Sequence, residues 1–249
     1  MNTILTSLFS RKSVRAYTDR EITEEQKNLI FESALQAPTA GNQTLYTMLE
    51  ISDPGIKKSL SVLCDNQPFI NDAKLVVVFL ADCQRWTDCY AYAGVSCRKP
   101  GYGDMLLACE DAMIAAQNTV TAAESLGIGS CYIGDILEHK EKISELLELS
   151  PLTFPVTMVV FGYPTEQQKN RTKPKRAGRR FIVQENTYRR LSEQELRLMY
   201  GEQQTGQSDF NAWMKAFCER KYMSDFSKEM TRSVGAYFKN FAPEPDGQP

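Results

Sequence analysis

The stretch Ala116–Ile136, AQNTVTAAESLGIGSCYIGDI, says most about the fold of this chain. Its first half belongs to a long helix predicted over residues 104–126, in which alanines at positions 108, 112, 115, 116, 122 and 123 form a small-residue face that permits close approach of another helix. Gly127 is placed to end that helix, and the following residues as far as Gly134 predict a short strand. The chain therefore has a long central helix that leads directly into a strand.

Helices and apolar strands also occur on both sides of this stretch. Thr23 and Gln26 form a capping box at the start of a helix that ends near Ala37. The run Lys74–Asp82, KLVVVFLAD, predicts a central strand covered on both faces. Further strands are predicted at Leu45–Ile51, Val156–Gly162 and Phe181–Gln184, and further helices at 138–149, at 192–200 and, as a pair, within 210–241. Helices dominate, so we expect an α+β fold.

The organisation of the chain follows from its polar segments. We predict a main domain over residues 1–200, a helical extension of the same domain over 201–241, entered through the linker 201–209, and a disordered tail over 242–249. Residues 84–103 are polar and aromatic, with three glycines and a proline, which predicts a loop or lid.

Composition excludes several classes of protein. The 249 residues are 42% hydrophobic and 24% charged, as in folded proteins. The longest apolar run, Leu75–Ala81, is far shorter than the roughly 20 residues of a membrane helix. Seven cysteines at irregular positions form no disulfide framework, and the basic residues of the N-terminus follow its apolar stretch, the reverse of a secretory signal. We therefore expect a cytoplasmic protein without a membrane partner.

The cysteines and the single histidine give no metal or nucleophile motif. Cys83, Cys89 and Cys97 are spaced too widely for zinc-binding pairs, and the scattered cysteines count equally against an iron–sulfur protein. His139 lies in a charged amphipathic stretch without a nucleophile motif beside it, which is typical of a solvated helix surface. No metal site is expected.

Charge is distributed unevenly along the chain. The net charge is −2, but residues 169–180, KNRTKPKRAGRR, hold seven of the 29 basic residues and no acid. A second small basic cluster contains Arg11, Lys12 and Arg15. Because nucleic-acid binders spread positive charge over a face, two local clusters favour a phosphorylated small molecule over nucleic acid. Three interpretations of residues 169–180 remain open: a solvated loop, a nucleic-acid-binding patch and an anion-binding clamp.

Other segments have both a structural and a ligand-binding interpretation. Arg11, Ser13 and Arg15 alternate, so in an extended segment they share one face and suit a phosphate, although this segment taken alone favours a solvated basic strand. The loop Pro38–Thr44 has four hydrogen-bonding side chains that satisfy their own turn or bind the edge of a heterocycle. Glycines in SLGIGSCYIGD let backbone amides approach a ligand, but the pattern is not G-x-G-x-x-G, which excludes a Rossmann site.

Taken in order, these motifs resemble one known family. They are similar to the FMN-dependent nitroreductase and flavin reductase family, in particular its NADPH-preferring, oxygen-insensitive branch. The motifs that carry the resemblance are SRKSVRAYTDREI, APTAGNQT, Gln67 before an apolar strand, AQNTVTAAESLGIGSCYIGDI, VVFGYP, KPKR and FIVQENTY. The resemblance covers about residues 5–190. It implies a nitroreductase-like α+β fold with a central, mostly antiparallel sheet flanked by helices, a C-terminal helical extension, and a homodimer with FMN at its interface.

The resemblance also implies the cofactor-binding residues. Arg11, Lys12, Ser13 and Arg15 would bind the FMN phosphate together with Lys173, Lys175 and Arg176. Thr39, Asn42 and Gln43 would border the flavin, partly from the other subunit, and Gln67 would bind its ring or ribityl chain. Tyr132, Ile133 and Gly134 would offer backbone groups to the ring edge near N5.

The implied activity is hydride transfer from NADPH, with NADH as the alternative donor, through flavin N5 to nitroaromatics, quinones or free flavin in a ping-pong scheme. No side chain is expected to be catalytic, and Lys173 would give electrostatic support. Arg171, Arg179 and Arg180 would either bind the 2′-phosphate of NADPH or be solvated. Two alternatives remain: another flavoenzyme on the same fold, such as a reductive dehalogenase, and a non-catalytic anion- or nucleic-acid-binding module that uses residues 169–180.

Overall fold

The structure is a computed structural model that describes residues 2–203 and 209–242. Two compact units are distinguished by their internal contacts. As far as the chain is described, the first unit comprises residues 2–170 and 229–242, and the second comprises residues 171–203 and 209–228. Much of the predicted linker 201–209, and all of the predicted tail 242–249 except Ala242, lie outside the described residues. The domain boundaries stay predictions.

The first unit is built on an antiparallel sheet. Its strands are β1 (Tyr46–Glu50), β2 (Leu75–Asp82), β3 (Gly129–Ile133) and β4 (Thr153–Gly162), in the order β1-β2-β4-β3. Every neighbouring pair is antiparallel. All residues of β2 are buried, which confirms the predicted central strand. The predicted mostly antiparallel α+β architecture is therefore confirmed.

Helices precede, separate and follow the strands along the chain. In chain order they are α1 (Thr3–Ser10), α2 (Glu24–Leu35), α3 (Pro54–Leu63), α4 (Pro68–Asp72), α5 (Gln84–Tyr92), α6 (Tyr102–Ser125), α7 (Lys140–Leu146), α8 (Glu166–Asn170), α9 (Arg179–Ile182), α10 (Glu193–Gln203), α11 (Phe210–Lys221) and α12 (Asp225–Phe238). The elements α9, α10 and α11 belong to the second unit, and α12 belongs to the first from Glu229 onward. Within the described residues, no helix is long and apolar enough to cross a membrane.

Two apolar layers enclose the sheet because successive residues of β2 point to opposite faces. Val77 and Phe79 pack in the layer that also holds residues of α2 and α6. Val76 and Val78 pack in the layer that holds residues of α3, α4 and α7. The alanine face of α6 is fully buried at positions 108, 112, 115, 116 and 123, and α2 packs against this helix as the small residues predict.

Two local predictions are wrong. Residues 84–92, expected in a loop or lid, form α5, in which the rings of Trp86 and Tyr90 pack one turn apart with centroids 5.8 Å from each other and planes tilted by 43°. Gly94, with φ of 68°, follows the end of this helix. Phe181–Gln184, expected as a strand, overlaps the short helix α9 because the amide of Val183 donates to the carbonyl of Arg179, a local bond that excludes sheet pairing.

Candidate cofactor site

The N-terminal segment runs beside β3, and this contact positions the first predicted site residues. The amide of Val14 donates to the carbonyl of Ser130 at 2.9 Å, and Ser13 pairs with Ser130 in a parallel bridge. Further along, the amide of Thr18 donates to Tyr163 at 2.8 Å. The segment is thus held at the free edge of β3, where a side chain at every second position can face the same neighbours.

Arg11, Ser13 and Arg15 converge on the strand as their alternation predicts. The guanidinium carbon of Arg11 lies 5.8 Å from the centre of the Tyr132 ring. Burial raises the pKa of the Cys131 thiol, while Arg15, a hydrogen bond with Ser13 and the charge of Arg11 oppose that rise. All three side chains therefore lie around Cys131, and together they form a small basic cluster, which we call the arginine cluster.

Arg11 of the arginine cluster and the neighbouring Ser130 each have one buried polar atom that lacks a partner in the described part of the chain. Arg11 Nε and Ser130 Oγ are buried, and neither has a hydrogen-bond partner within the described residues. A buried guanidinium N–H without an acceptor is costly. An anionic oxygen is the acceptor that such a donor binds most strongly. The atoms present therefore fit a phosphate-bearing ligand.

Lys12 lies apart from the arginine cluster. Its ammonium donates to the carbonyl of Lys169 at 2.5 Å, at the end of α8. Lys12 and Val14 line a separate depression of about 330 Å³. Because positions 12 and 14 alternate with 11, 13 and 15, this geometry favours the three cluster residues as the phosphate ligands. The role predicted for Lys12 stays a prediction.

The end of β3 borders the cluster. The hydroxyl of Tyr132 donates to Gln117 of α6 at 3.2 Å, and the side chain of Ile133 is buried. Gly134 differs from both, because a β-carbon built on it would meet nothing within 4 Å. Of the three positions predicted to offer backbone groups, Gly134 is the one with open space beside it.

Gln67 is connected to the cluster through α4. It stands just before the first residue of this helix, and its side-chain Nε2 donates to the carbonyl of Cys64 at 2.9 Å. Two residues further on, the ring of Phe69 lies 5.9 Å from the guanidinium carbon of Arg15. Burial raises the pKa of Tyr17, and the charges that act on this hydroxyl include Arg15 and Asp72 at the end of α4.

The loop Thr39–Thr44 is fixed from α6. The hydroxyl of Thr39 donates to the carboxylate of Asp111, and the amides of Ala40 and Leu45 donate to the same carboxylate at 2.9 and 3.2 Å. The amide of Thr44 closes the loop on the Thr39 hydroxyl at 2.8 Å. The side chain of Asn42 is exposed, and that of Gln43 is half-buried.

Residues of α5 and α6 were missing from the predicted site. Asp111 is only 3% exposed, and Arg85 and Trp86 of α5 donate to carbonyl groups of the same loop. A signal for Asp111 exists in the sequence, since it lies three residues after Ala108 and beside Ala112 on the alanine face. A carboxylate on a face that will be buried needs hydrogen-bond donors.

Lys173, Lys175 and Arg176 lie in the second unit, before α9. Lys173 is half-buried, and Lys175 and Arg176 are exposed. Their contribution to a cofactor site stays a prediction.

The fold is that of an α+β protein in which a small arginine cluster lies beside an edge strand that Gly134 follows. The chain belongs to the nitroreductase family, whose model matches residues 8–163. It is 32% identical to an FMN reductase (NADPH) of Bacillus subtilis over 76% of this chain and 75% of that protein. It is 30% identical to an oxygen-insensitive NADPH nitroreductase of Salmonella typhimurium over 82% of this chain and 81% of that protein. Its fold is similar to the solved structure of a nitroreductase of Bacillus subtilis, with a TM-score of 0.77, 27% identity and coverage of 92% of this chain and 98% of that one.

Proposed function

We propose that this protein is an FMN-dependent NAD(P)H oxidoreductase. The observation that carries the proposal is the buried Arg11 Nε, which has no acceptor within the described residues and fits a phosphate oxygen. Family membership and relatives named FMN reductase (NADPH), NADPH nitroreductase and NADPH-flavin oxidoreductase support the same activity.

The chain's own residues would bind and orient the cofactor. Arg11, Ser13 and Arg15 would hold its phosphate, and Gly134 would let the backbone approach its ring. When bound, FMN supplies hydride acceptance and donation at N5. Lys173 would favour negative charge near the ring. Because no side chain has to transfer a proton in the hydride step, the single histidine of this chain is no obstacle.

For the finer activity, we propose that NADPH and an electron acceptor occupy the site in turn, which is a ping-pong order. Nitroaromatics, quinones and free flavin are the proposed acceptors. NADH is the alternative donor, and Arg171, Arg179 and Arg180 are the candidates for contact with the 2′-phosphate that distinguishes NADPH. A reductive dehalogenase-like reaction is the competing activity on this fold.

An absorbance spectrum of the purified protein tests the proposal. We expect a yellow protein, or one that turns yellow with added FMN, whose 450 nm band bleaches on anaerobic addition of NADPH. Parallel lines in a double-reciprocal plot with a nitroaromatic or a quinone would support the ping-pong order, and intersecting lines would contradict it. A protein that stays colourless with added FMN would refute the cofactor.

We further propose a homodimer, because two helices of the first unit have exposed apolar faces. In α1, Ile4 and Phe9 are 64% and 66% exposed, and this helix has no buried residue. In α6, four exposed apolar residues form two pairs seven positions apart, Leu106 with Met113 and Leu107 with Ile114. An apolar helical stripe of this kind marks an interaction surface.

The oligomeric state is testable by sedimentation velocity. We expect a dimer of the 28.2 kDa chain and dissociation in the Ile114→Glu variant. Ser125→Glu, an exposed position at the end of the same helix, is the control and keeps the dimer. A monomeric wild-type protein would refute the proposal. The cytoplasmic location stays a prediction that rests on the irregular spacing of the cysteines.

A further inference from the structure

We propose that Asp111 is a positioning residue that fixes the loop Thr39–Thr44 in the conformation that binds the flavin. This inference rests on the proposed function. Asp111 would act without touching the cofactor, because its carboxylate is buried and already accepts three hydrogen bonds. Asn42 and Gln43 would be the side chains that the fixed loop presents.

The carboxylate of Asp111 binds the donors of the loop. One oxygen accepts from the amide of Ala40, and the other accepts from the Thr39 hydroxyl and the amide of Leu45. The carboxylate therefore binds both ends of the loop at once. An asparagine at this position would place its N–H₂ group, a donor, against at least one of these donors.

Two donors of α5 bind the carbonyl groups of the loop. Trp86 Nε1 donates to the carbonyl of Gln43 at 2.9 Å, and Arg85 Nη1 donates to that of Thr44 at 3.2 Å. The amides of Ala40 and Leu45 thus bind α6, and the carbonyls of Gln43 and Thr44 bind α5. The helix α5, which lies in the segment expected to be a loop or lid, therefore supplies two of the side chains that hold the loop in place. We call Asp111, Arg85 and Trp86 together the frame of the loop.

The loop needs this frame because its backbone is strained. Gly41, Asn42 and Thr44 have φ values of 56°, 57° and 52°, in the left-handed region. Such a value is ordinary for glycine, uncommon for asparagine and unfavourable for a β-branched threonine. Three left-handed residues in four persist only where surrounding contacts determine them. The contacts to Asp111, Arg85 and Trp86 are those determinants.

The frame also changes the expected role of Thr39. Its hydroxyl donates to Asp111 and accepts from the amide of Thr44, so its proton is already used within the loop. Thr39 would therefore support the binding surface by positioning, while Asn42 and Gln43 provide the polar groups.

The test compares the Asp111→Asn variant with wild type in FMN titrations. We expect FMN to bind at least tenfold more weakly and the visible circular dichroism of the bound flavin to change, because the asparagine cannot satisfy all three donors. Thr119→Val, which removes a buried hydroxyl about two turns further along α6, is the matched control and keeps wild-type affinity. Thr39→Val should reproduce the loss, and Thr39→Ser should restore most of the affinity.

Amide hydrogen exchange provides a readout that does not depend on flavin. In Asp111→Asn without FMN, we expect faster exchange at Ala40 and Leu45, with exchange in β2 unchanged. Wild-type affinity and wild-type flavin dichroism in a folded Asp111→Asn variant would overturn the role of Asp111 but would leave the proposed function standing. A wild-type protein that binds no FMN would overturn both the proposed function and this inference, so the two failures are distinguishable.

Discussion

Val14 occupies the space that a side chain on Gly129 would need. A β-carbon built on Gly129 would lie 2.5 Å from Cγ2 of Val14, closer than real carbon contacts. The N-terminal segment is therefore seated directly on the first residue of β3. Because Arg11, Ser13 and Arg15 flank Val14, this packing sets the position of the arginine cluster.

Gly129→Ala should consequently destabilise the protein and disturb the cluster. We expect a loss of about 1–3 kcal/mol, as in other overpacked cores, measured as a lower urea midpoint. Val14→Ala should relieve part of the clash, so the double variant should be more stable than the sum of the two single effects predicts.

Gly134→Ala is the control for this substitution, because a β-carbon there meets nothing within 4 Å. Its unfolding free energy should stay within about 0.5 kcal/mol of wild type. Equal stability of Gly129→Ala and Gly134→Ala would contradict the packing that we describe.

Arg11→Gln should weaken the binding of FMN but not of riboflavin. Arg11 lies above the Tyr132 ring with a buried Nε that has no acceptor among the described residues, and only FMN has a phosphate to bind it. Loss of a charged hydrogen bond corresponds to about tenfold or more in affinity. Fluorescence titration with both flavins measures the difference.

Arg20→Gln is the charge-matched control for Arg11→Gln. The Arg20 guanidinium carbon lies 3.9 Å from the centre of the Tyr163 ring, and the residue is exposed. We expect its affinity for FMN to be unchanged. An equal loss for FMN and riboflavin in Arg11→Gln would show that this arginine does not bind the phosphate.

Glu138 gives the stability of the protein a pH dependence. The residue is 4% exposed, and burial, with the charges of Asp135, Asp65 and Glu229, raises the pKa of its carboxyl to about 7. Its Oε1 has no partner within the described residues, and its Oε2 lies 3.7 Å from Nε2 of His139. The folded state therefore favours the protonated acid. The ionised form is destabilising where pH exceeds this pKa.

The raised pKa of Glu138 determines whether the protein becomes more or less stable as the pH rises. Since the folded state binds the proton more tightly than the unfolded state, stability falls as pH rises from about 4.5 through about 7. Glu138→Gln stays neutral, so at pH 8 its unfolding free energy, measured by urea titration, should exceed that of wild type by up to about 3 kcal/mol, and most of this difference should be absent at pH 5. Glu145→Gln on the exposed face of α7 should not alter the pH profile. A wild-type profile that is flat between pH 5 and 8 would contradict this assignment.

The sequence predicts those elements whose determinants are local. The strand β2 is recognisable because every residue of Leu75–Asp82 is buried, which leaves a continuous apolar run. The start of α2 is recognisable because Thr23 and Gln26 cap each other within three residues. The alternation of the arginines is equally local, and their convergence beside Tyr132 follows from it.

Contacts between residues that are far apart in the sequence leave no local pattern from which they could be predicted. Asp111 binds Thr39 across 72 positions, and Trp86 binds Gln43 across 43. The helix α5 looks like a polar loop in sequence because its aromatic and basic side chains are used for these long-range contacts. For the same reason, the sequence predicts the loop Thr39–Thr44 as a binding segment but does not predict Asp111, Arg85 and Trp86, which fix it.

The seven cysteines should differ sharply in reactivity. Cys89, Cys97 and Cys218 are exposed, whereas Cys64, Cys83 and Cys131 are buried. Burial raises the pKa of Cys83 to about 11 and also raises that of Cys131, so few thiolates form at these sites near neutral pH.

Iodoacetamide at pH 8 should therefore label the exposed cysteines of the native protein first, as read by peptide mass spectrometry. The buried cysteines should be labelled only after addition of denaturant, which is the control for intrinsic reactivity. Protection of Cys131 is the decisive result, because its thiol lies among Arg11, Ser13 and Arg15 and reports whether the N-terminal segment is closed over β3. Labelling of Cys131 as fast as Cys89 in the native protein would mean that this segment is open in solution, and the arginine cluster would then not be preformed.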